Sequence, residues 1–303
     1  MTTVFQPPPR ARARRRLGAR LTRWIASLIV LVLAALLVHS VVTNGNFEWG
    51  VVGQYFTSSV VISGLVRTLW LTGIAMAIGI VLGVVVAIMR LSSSPLLAGG
   101  GTLYTTFFRG TPVLVQIIFW FNLSFLYPRL GLGIPFGPTA VSVSANSLIT
   151  PTMAALLGLG LNEGAYMSEI VRAGIQSVPR GQTEAALAIG MTGPRVLRRV
   201  VLPQALRLAL PPTGNEVIGM LKVTAVVSVI GMPDLLFSVE GIYNRTLQVI
   251  PLLVVASIWY IIATTVLYVG QRQIERRYGR GFAAVAPMAQ GRPFRRALAR
   301  LQP

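Results

Sequence analysis

The chain has 303 residues, 53% of them hydrophobic and only 12% charged, with a mean hydropathy of +0.68. A soluble domain carries about 25% charged residues, so this balance belongs to a polytopic membrane protein. The absence of cysteine, with His39 as the one histidine and Lys222 as the one lysine, excludes disulfides, histidine-based zinc sites, Ser-His-Asp triads and a GxxxxGK[ST] phosphate loop.

In chain order, the N-terminal MTTVFQPPPRARARRRLGAR reads as a disordered basic tail over 1–23 that leads into a retained anchor. The apolar run behind it is too long for a signal peptide, and no clear cleavage site follows. Six stretches are long and apolar enough for a hydrocarbon core of ~30 Å, which takes roughly 20 helical residues. They fall at 24–42, 65–89, 111–127, 151–171, 208–230 and 251–269. The second carries Ala75, Gly79, Gly83 and Ala87 at four-residue spacing, a small-residue ridge for close helix packing or for a homodimer seam. The third opens on Thr111-Pro112, which reads as an N-cap followed by an N1 proline. The outer segments around 42–64 and 128–150 are rich in Gly, Pro, Ser and Asn and are expected to hold short interfacial pieces.

Arginine placement sets the orientation. With the N-terminus inside, the inner side receives seven arginines before Trp24, Arg90 and Arg109 in a first inner loop, six from Arg172 to Arg207, and eight in the C-terminal tail. That accounts for 23 of the 26 arginines and leaves only Arg67, Arg129 and Arg245 outside. A net charge of +19 would point to nucleic acid in a soluble fold; here it is a topology signal and a contact with anionic lipid. Both termini are therefore expected in the cytoplasm.

Between the fourth and fifth spans lies TEAALAIGMTGPRVLRRVVLPQAL, an insert with Glu184, Arg195, Arg198 and Arg199. It reads as two short helices. The first presents Ala185, Ala186, Ile189 and Gly190 as a smooth face; Thr192-Gly193-Pro194 breaks the chain; the second ends at Pro203. An amphipathic interfacial helix would explain the second half but not the first, whose small residues bury little area against lipid and suit a close-fitting protein groove.

Glu184-Ala185-Ala186, three residues, Gly190, nine residues and Val200-Val201-Leu202-Pro203 resemble the EAA-x3-G-x9-I-x-L-P loop of ABC importer permeases, with Val200 in place of isoleucine. FRGTPVLVQ at 108–116, GAYMSEIVRAG at 164–174, PRGQ at 179–182, LPQAL at 202–206 and VIGMPD at 229–234 are similar, in order, to segments of the polar amino-acid permeases. The resemblance covers roughly 65–281. It implies an all-α integral membrane protein of about six transmembrane helices, type I importer permease-like, with a cytoplasmic coupling-helix loop. The organisation would be a basic tail (1–23), a first span and outer segment (24–64), a permease core (65–271) and a basic tail (272–303).

By the same resemblance the chain is no enzyme and has no cofactor of its own. ATP-Mg would be bound by a dimer of a partner ABC ATPase, beside a second permease subunit and an extracytoplasmic amino-acid-binding protein, in the plasma membrane. Gly181, Glu184, Ala185, Ala186, Gly190, Leu202 and Pro203 would couple to the ATPase, with Gly190 permitting close approach.

Ionisable groups inside a span are costly, ~2.5–3.5 kcal/mol at the helix centre, and mark function. Candidates for the substrate pathway are Asn162, Glu163, Asn215, Glu216, Lys222 and Thr224. Glu163, Glu216 and Lys222 either line the pathway or pair between helices. Glu169 and Arg172 form an i,i+3 pair of structural character. Pro211-Pro212 would free backbone carbonyls nearby. The family commonly has an acid after this lysine where Val223 stands, which weighs against a lysine or arginine substrate unless Glu163 compensates. The rival function is a proton-coupled secondary transporter, but neither inverted repeats nor broken paired helices are visible.

Overall fold

The computed structural model describes residues 9–133 and 139–278, with side chains described over 22–131 and 142–277. The tail residues 1–8 and 279–303 lie outside the described residues. Helix α1 (Pro9–Thr43) takes in much of the segment expected to be a disordered tail, since alanine and arginine are good helix formers. From Thr22 onward its apolar side chains, Leu31 and Leu37 among them, are exposed on all sides. A helix that is hydrophobic all round belongs in lipid or against another chain.

After α2 (Trp49–Phe56) comes α3 (Ser59–Leu91), where Ser58 accepts the Val61 N–H as an N-cap. The chain turns at Ser92–Ser94 into α4 (Pro95–Gly110), which runs back along α3 with Gly101 on Arg90 and Val86. It breaks at Thr111–Pro112 and continues as α5 (Val113–Phe121). This corrects the third span: 111–127 is only the C-terminal part of it. From Pro95 to Phe121 the broken helix is roughly 40 Å long at 1.5 Å per residue, and Arg109 sits within it rather than in an inner loop. PLLAGGGTLYTTFF reads as loop because glycine and threonine are poor helix formers, but the small residues let α4 lie close on α3. Thr111 is no N-cap for α5 either. It closes α4, and its Oγ1 donates to the Phe107 carbonyl at 2.9 Å.

The segment between α5 and α8 holds α6 (Leu123–Leu126), an antiparallel hairpin of β1 (Arg129–Gly133) and β2 (Thr139–Ser144), and α7 (Ala145–Leu148). The hairpin pairs Arg129 with Ser144 and carries a register irregularity at Leu132/Gly133. Then α8 (Pro151–Gln176) starts from Thr150, whose Oγ1 accepts the Met153 N–H, with proline in the first turn.

The core is the seam between α3 and α8. They run parallel, with Ile78 against Gly160, Gly79 against Glu163, Leu82 against Gly164 and Gly83 against Met167. Ala75 and Ala87 are fully buried, so the small-residue ridge serves close helix packing inside this chain. Around the seam Leu71, Met76, Ile117, Leu159, Met220 and Val227 form one apolar cluster.

Beyond α8 follow α9 (Arg180–Ala188), α10 (Gly193–Val196), a π-helical turn (Leu197–Val201), α11 (Leu202–Val223) and a 3-10 run (Thr224–Ile230). Pro203 therefore does not end the second insert helix. It stands in the first turn of α11, where the π turn, with the Leu202 N–H on the Leu197 carbonyl, absorbs the missing donor. Finally α12 (Leu235–Thr246), capped by Asp234, and α13 (Val249–Tyr278) complete the chain's described helices. There Trp259 stacks on Phe56 at 4.8 Å and donates to its carbonyl.

Among the described residues, Thr22–Thr43, Ser59–Leu91, Gly193–Ile230 and Val249–Arg277 are long and apolar enough to cross a membrane. Helix α8 and the broken α4–α5 pair, each roughly 40 Å long, bring the traverses to six. Because a side chain at Gly79 would strike the Cγ of Glu163, Gly79→Leu should destabilise the protein by about 1–3 kcal/mol. Gly73→Leu, into open space, should not; the thermal unfolding midpoints of the two purified variants make the comparison.

Candidate functional site

Three elements wall a cavity of about 460 Å³: the α4–α5 break, the middle of α8 and the C-terminal half of α11. The break contributes Arg109, Thr111 and Val113; α8 contributes Leu159, Asn162, Glu163 and Tyr166; α11 contributes Glu216, Gly219, Met220 and Val223. The break leaves backbone groups without helical partners, and side chains satisfy them. Asn162 Nδ2 donates to the Phe108 carbonyl at 2.7 Å, and Gln116 Nε2 donates to the Phe108 carbonyl, the Thr111 carbonyl and Thr111 Oγ1. Tyr104 Oη ties α4 to the Leu161 carbonyl at 2.7 Å. The wall is thus held by a polar network at depth, where unsatisfied backbone groups are expensive.

Glu163 is 4% exposed, and its Oε1 has no hydrogen-bond partner among the described residues. Its stem rests on Gly79, which sets where the carboxyl group stands. Glu216 lines the same cavity from the facing helix. Among the described residues neither makes an ion pair; the three pairs all converge on Glu169. Arg90 reaches Glu169 at 2.7 Å, Arg172 at 2.6 Å and Arg109 at 3.3 Å. Arg109 also lies over the Tyr166 ring, with Cζ 5.2 Å from its centroid. The pairing expected of Glu169 and Arg172 is therefore one part of a four-residue cluster.

Of the six pathway candidates, Asn162, Glu163 and Glu216 come together at the cavity. Asn215 faces away and accepts from Gln271 Nε2 at 3.2 Å. Lys222 is exposed on the outer side of α11, away from the cavity. Thr224 is fully buried, with Oγ1 donating to the Leu221 carbonyl. Arg109, Thr111 and Tyr166 were missed as cavity residues. The break at Gly110-Thr111-Pro112 in an apolar run was the available signal, because backbone breaks inside a membrane are tolerated only where they line a cavity or protein interior. Gln271 donates to the Pro211 carbonyl, and Pro212 removes the N–H that would reach the Leu208 carbonyl.

The second site is the insert. Val178, Ala186, Val196, Val201 and Ala205 form a small core that fixes α9 under the ends of α8 and α11. Ala186 is thus turned inward, and the exposed face of α9 is Gly181, Glu184, Ala185, Leu187 and Ala188. Leu202 and Pro203 are exposed at the start of α11, where Pro203 borders Ile274 and Arg277 of α13 rather than α9. Gly190 stands at φ +84°, where the Met191 N–H meets the Ala186 carbonyl and the Gly190 N–H meets that of Leu187. Those two bonds are the Schellman stop of a helix, which calls for glycine. A side chain at 190 would meet nothing in this chain, so its first role is to end α9.

A family model for binding-protein-dependent transport system inner membrane components matches residues 79–280. The chain is 39% identical over 267 residues to the arginine transport system permease protein ArgU of Corynebacterium glutamicum, covering 86% of this chain and 81% of that protein. It is 35% identical over 216 residues to the histidine/lysine/arginine/ornithine permease HisM of Salmonella typhimurium, covering 71% of this chain and 88% of that one. A solved amino acid ABC transporter chain superposes with a TM-score of 0.62 at 35% identity, over 72% of this chain and 94% of that chain. The MetNI methionine transporter shares the fold alone, at 17% identity and a TM-score of 0.59 over 72% of this chain and 96% of that chain.

At Gly190, alanine should cost about 1 kcal/mol of stability because a Cβ disfavours positive φ. Asparagine, which tolerates that conformation, should cost less. Thermal unfolding of the purified Gly190→Ala and Gly190→Asn variants gives the order.

Proposed function

The chain belongs to the family of binding-protein-dependent transport system inner membrane components, as an amino-acid ABC permease, and from that premise we propose that it imports a polar amino acid with a cationic side chain. The observation that carries this is the juxtaposition of Glu163 and Glu216 on facing helices of one cavity, with Arg109 as its guanidinium. Two carboxylates and one guanidinium complement a ligand with two cationic groups and one carboxylate. The arginine would take the α-carboxylate in a bidentate pair, and the glutamates the α-ammonium and the side-chain cation. Val223 lies in the same cavity as both glutamates, so the acid missing at 223 does not leave the site without anionic groups. That reverses the weight the sequence placed against lysine or arginine. The curated relatives that carry cationic amino acids in their names support the same direction.

ATP is handled by a separate ATPase. In our reading two copies of that ATPase dock under two permease subunits, each receiving an exposed α9 face, and an extracytoplasmic binding protein delivers the substrate. Both termini of this chain lie in the cytoplasm, with α9 on the same side. Closure of the ATPases on ATP draws the α9 helices together and turns the cavities outward; hydrolysis returns them inward, a rigid-body switch between two states. A carboxyl-lined cavity alone would also serve a proton-coupled carrier, but the exposed α9 face has no use in such a protein.

In proteoliposomes holding the permease, its ATPase and its binding protein, ATP-driven uptake of labelled arginine should exceed that of glutamate. Glu163→Gln and Glu216→Gln should each lower it about tenfold, the loss of roughly one charge-assisted bond. Normal arginine uptake in both variants would end the substrate assignment. For docking, Ala185→Trp should uncouple hydrolysis from uptake while leaving thermal stability intact, since Ala185 is exposed. Ala186→Trp should unfold the small inner core instead.

A further inference from the structure

The substrate cavity has a neighbour of about 600 Å³ between α8 and α11, nearer the α9 end. Along α8 the first is lined by Leu159, Glu163 and Tyr166 and the second by Ile170, Ala173 and Ser177. Steps of three and four residues keep all six on one helix face. Helix α11 repeats the arrangement in reverse, with Val223, Gly219 and Glu216 above and Pro212 and Leu208 below. The two cavities therefore lie in line between the same two helices. Arg109 is the one side chain they share among the described residues.

The contacts of Arg109 close the line at that point. Its guanidinium covers Tyr166, the last α8 residue of the upper cavity, and reaches Glu169, the first of the lower one. Arg90 and Arg172 hold the same carboxylate more tightly, at 2.7 and 2.6 Å against 3.3 Å. Their side chains are also less exposed, at 15% and 30% against 44%. Glu169 consequently keeps its place and its charge partners whether or not Arg109 is on it. Arg109 is the loosest of the three and the only one of them that lines the substrate cavity.

We infer that Arg109 is a latch between the substrate cavity and the cavity below it, between the same two helices toward the cytoplasm. Paired with Glu169 and laid on Tyr166, it shuts the floor; the carboxylate of an amino acid in the cavity draws it away and opens the passage. The exchange swaps one carboxylate partner for another, so no charge is left bare, and a bidentate guanidinium pair with a free carboxylate is better than the single 3.3 Å contact it replaces. Passage is thereby conditional on a carboxylate, whatever the side chain. This rests on the amino-acid import reading.

The test uses the assembled importer in proteoliposomes. ATP-driven arginine uptake by the wild-type complex is measured first; if there is none, the import reading fails. With uptake present, vesicles loaded with labelled arginine and given no ATP should lose it slowly. Arg109→Ala should speed that loss about tenfold, as removal of one ion pair from a barrier does. It should also release decarboxylated arginine, which the wild type retains, and Arg109→Lys should restore part of the barrier. An assembled Arg109→Ala complex that loses arginine at the wild-type rate overturns the latch while leaving import standing. If Arg109→Ala does not assemble, Tyr166→Leu is measured the same way. Faster loss is then the expected result, and an unchanged rate in the assembled complex overturns the proposal.

Discussion

The closeness of α3 and α8 is the constraint from which the rest of this protein follows. Glycines at 79, 83, 160 and 164 let two parallel helices touch backbone to side chain with no intervening layer. Lipid gives no hydrophobic drive for helices to associate, so packing at this range supplies the attraction. The contact also does chemical work. Glu163 would be a costly residue at this depth, and Gly79 takes its stem so that only the carboxyl group stands at the cavity. A bulkier α3 would push α8 off and with it Asn162, whose amide holds the α4–α5 break.

The half of the molecule toward α9 solves a charge problem in a different way. Three arginines share the single carboxylate of Glu169, an excess of positive charge that a buried site would not tolerate but a half-exposed one does. The arrangement joins α3, α4 and α8 at one point. It also makes one member replaceable without unbalancing the others, which a lone buried pair could not do.

What was legible in the sequence was what depends on local pattern. The small-residue ridge of α3, the long apolar spans and the two-helix insert show in short windows, because close packing and length are local demands; Gly190 reads there as part of a smooth face, and only the backbone makes it the stop of α9. The α4 helix was hidden: its Gly-Gly-Gly and threonines have low helix propensity, and only their tertiary fit against α3 makes them helical. With that stretch read as loop, Arg109 stands in a loop and the most informative cavity residue is out of view. Depth alone selected Lys222, Asn215 and Thr224 beside Glu216, yet rotation about α11 sends them to three other surroundings. Facing requires an axis, and an axis requires the neighbouring helices.

The unbroken helical rod from Gly193 to Ile230 has a mechanical meaning beyond its length. One end emerges from the insert, the other passes the cavity, and Pro203, Pro211 and Pro212 lie along it without a loop between them. Such a rod is a lever with its short arm in the insert. With about 30 Å of helix between Leu197 and Glu216 at 1.5 Å per residue, a tilt of about 5° displaces the Glu216 wall by roughly 2.5 Å. That is close to a hydrogen-bond length. A partner that nudges the insert slightly would remake every polar contact at the far end without unfolding anything between.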